Sequence, residues 1–128
     1  MNTGPDDSAV SGSLPPVVSN YLAASDRDDI DAVVACFTND AVVLDEDRHW
    51  RGAAEIRQWR ENVAAAFEYT VAIIGSEALG EVDGAQRYAV YTHLEGNFPG
   101  GQVDLTNRFT LRGDLITALE IVPTAVTS

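Results

Sequence analysis

Residues 37–59, FTNDAVVLDEDRHWRGAAEIRQW, decide how the chain is read. The stretch begins at a helix end, passes through a short apolar strand at Ala41–Leu44 and meets three consecutive acids, Asp45, Glu46 and Asp47. His49-Trp50-Arg51-Gly52 then leads into a further helix. Alternate residues of a strand share a face, so if Val43 points inward, Asp45 does too. A carboxylate aimed inward at a strand end is costly unless something uses it. Asp45 is therefore the first candidate for chemistry.

The totals around that stretch narrow the field. The chain of 128 residues is long enough for one domain with a real core, and 45% hydrophobic residues exclude wholesale disorder. Twenty acids against eight Lys and Arg give a formal net charge of -12, which repels phosphate backbones and anionic lipid. Nucleic-acid and membrane partners are not expected. Cys36 is the single cysteine, so no internal disulfide framework or cysteine metal cluster forms, and a small buried residue is its simplest role. No apolar run approaches the ~20 residues of a membrane span, and residues 1–13 lack the features of a secretion signal. The expectation is a cytoplasmic protein with a flexible tail at 1–13, one domain at 14–123 and a short tail at 124–128.

Upstream of Phe37, residues Leu14, Val17, Val18, Tyr21, Leu22 and Ser25 recur at helical spacing, with Pro15 and Pro16 suited to a first turn. Asp28 or Asp29 can cap a second helix whose buried stripe is Ile30, Val33, Val34 and Phe37, and Thr38-Asn39-Asp40 breaks it. A third helix starts near Gly52 or Ala53 and packs Ile56, Trp59, Val63 and Phe67. From Tyr69 the pattern turns to β, with strands predicted at 69–79, 87–95, 102–112 and 115–122. Gly80–Gly84, Gly96–Gly101 and Gly113-Asp114 supply the turns. Three helices, one early strand and a four-stranded meander make an α+β layout.

In the strand at 102–112, Val103, Leu105, Asn107, Phe109 and Leu111 share a face, so Asn107 interrupts an apolar row. An unpartnered buried amide costs about 1–3 kcal/mol. Tyr21, Asp45 and Asn107 thus all point inward from otherwise apolar elements. A base with two neutral donors in an apolar pocket suits proton abstraction beside a carbonyl: the carboxylate takes the proton, and hydroxyl and amide hold the charge that develops on oxygen. The plain alternative is a core tyrosine, an acid that starts a turn and an asparagine that pins a strand.

The run NYLAASDRDDIDAVVACFTNDAVVLDEDRHWRGAAEI, residues 20–56, resembles the opening of the nuclear-transport-factor-2-like superfamily, which includes ketosteroid isomerases and SnoaL-like polyketide cyclases. The marks are the Tyr-Leu-Ala-Ala helix, the Asp-Ile-Asp helix start, Phe-Thr-Asn-Asp-Ala before a strand and a Gly-x-x-x-Ile helix after it. The late Arg-Phe-Thr-Leu-Arg-Gly-Asp segment is similar too. The resemblance implies a cone-shaped roll: three N-terminal helices packed in a strongly curved, mostly antiparallel sheet around an apolar cavity, its outer face free for a homodimer. It places Tyr21 at the isomerases' oxyanion tyrosine, Asp45 at their general base and Asn107 where they carry a protonated aspartic acid. An amide donates at any pH, so a donor is kept and the acid is lost.

The expected activity is thus a cofactor-free, metal-free proton transfer on a hydrophobic cyclic ketone or enone. Phe37, His49, Trp50, Trp59, Tyr91, His93 and Phe109 are the candidate substrate-binding walls. Competing expectations are a ligand-binding or dimerisation module without chemistry; a polyketide cyclase, which the resemblance implies would use His93 with an aspartate where Asn107 stands and which therefore ranks below isomerisation; and a dehydratase or hydrolase using Asp45 with His49 or His93. The last needs a histidine within hydrogen-bond reach of Asp45 or its water.

Overall fold

The computed structural model describes residues 14–124. The tail expected at 1–13, and the end of the chain after Thr124, lie outside the described residues. Helix α1 (Pro16–Asp26) starts on a proline, where a missing N–H costs nothing, and buries Val18, Tyr21 and Ala24. Helix α2 (Ile30–Ala35) is capped by Asp29, whose Oδ1 accepts from the Ala32 amide at 3.2 Å. Strand β1 (Phe37–Asp45) is longer than the pattern predicts. Phe37 is its first residue, not the last of the helical stripe, and pairs with Ile116. The Thr38–Asp40 segment is an irregularity inside the strand: the register shifts between Phe37 and Val42, then pairing resumes.

Residues 48–51 also differ from expectation. They form a short strand, β2 (Arg48–Arg51), that folds back on β1 with Asp45 opposite Arg48 and Val43 opposite Trp50. Glu46 and Asp47 both take positive φ, 54° and 63°, as a two-residue hairpin turn demands. Helix α3 (Gly52–Ala66) comes next, its first turn tied by Glu55, which accepts from the Arg51 amide at 2.8 Å. Phe67 lies just past its end. The meander comprises β3 (Tyr69–Val82), β4 (Ala85–Gly96), β5 (Gln102–Arg112) and β6 (Leu115–Pro123).

All six strands join one mixed sheet in the order β2-β1-β6-β5-β4-β3; β1 runs parallel to β6 and every other pair is antiparallel. This is the α+β cone, with a curved sheet wrapped around three helices. One core joins them: Val18, Val33, Val43, Ile56, Phe109 and Leu119 are buried in a single cluster drawn from every layer. Burying each such side chain contributes roughly 1.5–3 kcal/mol. Cys36 sits in that cluster with its thiol on the Ala32 carbonyl, and burial pushes its pKa up, as for a packing residue. Among the described residues no helix is long and apolar enough to cross a membrane.

Candidate active site

The core fills one end of the cone and leaves the other hollow. A cavity of about 400 Å³ lies between α1 and the inner face of β3–β5, lined by Tyr21, Leu22, Arg60, Tyr69, Thr92 and Asn107 among others. A second hollow of about 450 Å³ opens beside it, with Asp45, Val63, Phe67, Phe98, Val103 and Ile121 in its wall. Arg60, Tyr69, Leu94 and Leu105 line both. The two hollows are therefore neighbouring parts of one recess.

Asp45 ends β1 two residues beyond the fully buried Val43, so strand parity carries its carboxylate inward. It is half-buried, and its Oδ2 accepts the indole N–H of Trp59 at 2.9 Å. Trp59, on α3, is 2% exposed, so the indole fixes the carboxylate from inside the core. Burial pushes the Asp45 carboxyl above the usual carboxylate range; the Trp59 N–H, the Arg60 charge and the Glu46 amide pull the other way. A raised, oriented carboxylate beside an apolar hollow is a competent base.

Tyr21 is 3% exposed and held edge-on by Phe37 and Phe109, with ring centroids 5.8 and 5.5 Å away. Burial drives its phenol pKa far up, although the Arg60 charge opposes this, so the hydroxyl stays protonated and can donate. Asn107 behaves differently from expectation. Its Nδ2 donates to the Val90 carbonyl and to Thr92 Oγ1, both at 3.1 Å. A carbonyl only accepts, so this contact fixes which amide atom is nitrogen. Both amide hydrogens are spent within the sheet. Asn107 therefore gives the cavity an acceptor oxygen, and the expected second donor is corrected.

The expected walls divide. Phe37 and Phe109 are core residues beneath Tyr21 and do not line either hollow; Trp59 orients Asp45. Trp50 is buried in the core cluster on β2, with the Arg48 guanidinium 4.0 Å from its ring centroid. His49 is exposed and, with Arg87, Arg108 and Thr110, borders a shallow groove on the outer sheet face. Tyr91 and His93 alternate with the cavity-lining Thr92 and Leu94, so they too point outward. Tyr91 donates to Glu77 at 2.6 Å, while His93 is held by Asp104 and Glu95. Neither histidine bonds to Asp45.

A charged cavity residue escaped the sequence reading. Arg60 is 3% exposed and lines both hollows. It lies on the same α3 face as Ile56 and Val63, at i+4 and i−3, so a charge interrupting an apolar helical stripe was the signal that could have found it. Tyr69, beside its guanidinium, opens β3 in phase with the cavity-lining Val71 and Ile73. Among the described residues no group of three or more His, Cys, Asp or Glu gathers as metal ligands.

Known proteins agree with this architecture. A candidate polyketide cyclase from Sinorhizobium meliloti is 32% identical, with a TM-score of 0.77 over 89% of this chain and 100% of its own. A protein of ketosteroid isomerase-like fold from Catenulispora acidiphila, solved with trimethylamine, shares 19% identity and a TM-score of 0.72, covering 86% of each chain. The Orange Carotenoid Protein of Anabaena, binding canthaxanthin, matches 84% of this chain with 35% of its own at a TM-score of 0.73 and 18% identity. No curated protein sequence matches significantly. The model of the SnoaL-like domain matches residues 18–119, and the chain belongs to that family.

Proposed function

We propose that the protein catalyses cofactor-free proton transfer, an isomerisation, on a hydrophobic cyclic ketone or enone. One observation carries this reading: the half-buried Asp45 carboxylate, oriented by Trp59 at 2.9 Å, stands in the wall of a ring-sized apolar recess. Asp45 takes the proton from the carbon beside the carbonyl. The C–H electron pair moves into the new C=C bond, and the carbonyl π pair moves onto oxygen. Tyr21, its hydroxyl protonated and its ring clamped by two aromatics, donates to that oxygen. Asp45 then returns the proton to another carbon of the conjugated system, and the charge collapses. In this reading Asn107 does not hold the oxyanion; its oxygen accepts only from a ligand that also carries a hydroxyl or N–H. The outer sheet face carries a homodimer contact, and the lone buried thiol of Cys36 suits a reducing cytoplasm.

The test is deuterium exchange from solvent into simple cyclic enones and 3-ketosteroids, monitored by NMR. The wild type is expected to exchange about 10²–10⁴-fold faster than Asp45→Asn, the range of a positioned acid–base group. Equal rates, or no exchange by either across the panel, would refute the proposal. The second reading, a ligand-binding module without chemistry, is favoured by the fact that Asn107's donors are already engaged. It predicts tight ligand binding with no exchange.

A further inference from the structure

Arg60 has no part in the proposed proton transfer, yet it is the most deeply placed charge on the cavity wall. A guanidinium carries five N–H donors and stays protonated in a protein. Here one Nη reaches the Ser25 carbonyl at 3.5 Å and Asp28 Oδ1 at 3.4 Å. Both contacts are longer than the 2.7–2.9 Å of a charge-assisted bond, and the Asp28 side chain is 60% exposed. Tyr69 lies alongside, and the ring of Trp59 is 5.2 Å from the guanidinium carbon. Nε is buried and has no partner. In a chain of net charge -12, a cation has been taken into the wall of the recess, where Asp28 lies beside it and the Asp45 carboxyl feels its charge, and its Nε is left as an unused donor. Burying a donor without an acceptor is costly unless a partner completes it.

We propose that Arg60 is the recognition group for a carboxylate on the ligand, so that the recess takes ring-sized apolar carboxylic acids. A planar two-oxygen anion matches the fork of a guanidinium, whereas a lone carbonyl oxygen uses only one donor. The neutral body of such a ligand lies against Leu22, Val71, Leu94 and Leu105, which line the same space. Tyr21 and Asp45 are left free for chemistry elsewhere on the ring. The inference rests on the proton-transfer reading for its substrate, but its test reads binding and needs no turnover.

The probes are 2-naphthoate and its uncharged amide, 2-naphthamide, titrated by calorimetry into the full chain. The acid is expected to bind about tenfold or more tighter than the amide. Arg60→Met should erase that preference and Arg60→Lys should restore only part of it. Asp45→Asn should keep it, because that change removes the base and not the anchor. Equal binding of acid and amide by the wild type, binding of neither, or a preference that survives Arg60→Met overturns the proposal. The wild-type comparison alone decides the matter if Arg60→Met does not fold. Loss of exchange activity with the acid preference intact would instead strike only the catalytic reading.

Discussion

The bond between Asp45 and Trp59 separates two substitutions that sequence comparison would treat alike. In Asp45→Ala the indole N–H, on a side chain 2% exposed, loses its acceptor at 2.9 Å and faces an apolar wall. Leaving such a donor unsatisfied costs about 1–3 kcal/mol. In Asp45→Asn the amide oxygen still accepts, so that penalty is absent. The charge is absent too, and the charge is what burial disfavours. Asp45→Ala should therefore be less stable than Asp45→Asn by about 1–3 kcal/mol, a gap of roughly 4–12 °C in melting temperature for a chain of this size.

The dependence on pH has a definite sign. The folded-state pKa of Asp45 is raised, chiefly by burial. Below the unfolded value both states are protonated, and the group imposes no penalty. As pH rises through the unfolded and then the folded value, ionisation favours the unfolded chain and the wild type loses stability. Above the folded value the penalty is complete. Wild type should thus fall relative to Asp45→Asn between acid and neutral pH, measured by urea unfolding at several pH values. If Asp45→Ala and Asp45→Asn unfold at the same urea concentration, the indole does not depend on this carboxylate. If wild type gains on Asp45→Asn as pH rises, the burial argument fails.

Other contacts give further expected outcomes. Tyr21→Phe removes a donor without removing the ring that packs on Phe37 and Phe109, so exchange should slow about 10²–10³-fold while ligand affinity changes little. Asn107→Asp would set a carboxyl oxygen against the Val90 carbonyl, so the new acid must stay protonated; stability should fall as pH rises above about 4, by about 1–3 kcal/mol at neutrality in denaturant titrations. A methyl group at Gly96 would lie 2.5 Å from Tyr69 Cβ and 2.8 Å from its Cα, so Gly96→Ala should cost about 1–3 kcal/mol and shift the tyrosine beside Arg60, visible in ligand affinity. His93 should titrate above its ordinary value because Asp104, then Glu95, hydrogen-bond its ring; the stability it adds is complete below the unfolded pKa and lost as pH rises through the folded one, so ring-proton NMR should show the shift and His93→Gln should remove the pH step.

The local rules of strand and helix carried much of this fold. Asp45 was legible because period-two alternation from Val43 leaves its direction little freedom, and the meander because Asp-Gly and Gly-Asp turns punctuate alternating runs. Strand β1 was cut short because Thr38–Asp40 reads locally as a breaker. Only the distant pairing of Phe37 with Ile116 carries the chain through that irregularity. Strand β2 was hidden for a similar reason: Glu46-Asp47 is not a common hairpin pair, and both residues accept positive φ where glycine or asparagine is usual. Tyr91 and His93 alternate with Thr92 and Leu94, and composition alone does not say which set faces the concave side.

Arg60 and Asn107 illustrate the same physical rule from opposite directions. Both are polar residues on apolar faces, and both are buried. Asn107 is satisfied from within, by Val90 and Thr92, so its amide nitrogen stabilises the sheet and leaves only an oxygen for a ligand. Arg60 is only partly satisfied from within: one Nη reaches Ser25 and Asp28, but its Nε lacks a partner although the residue is 3% exposed. Position on an element can flag a polar intruder, but only an account of its hydrogen bonds separates a structural pin from a binding group. On the proposed proton-transfer reading the oxyanion role then narrows to Tyr21 and the base role stays with Asp45, while the unpaired donor of the recess wall lies at Arg60. A ligand that offers a carbonyl to Tyr21 and a carboxylate to Arg60 meets the two donors of the recess, and the Asn107 oxygen is left to a hydroxyl or N–H.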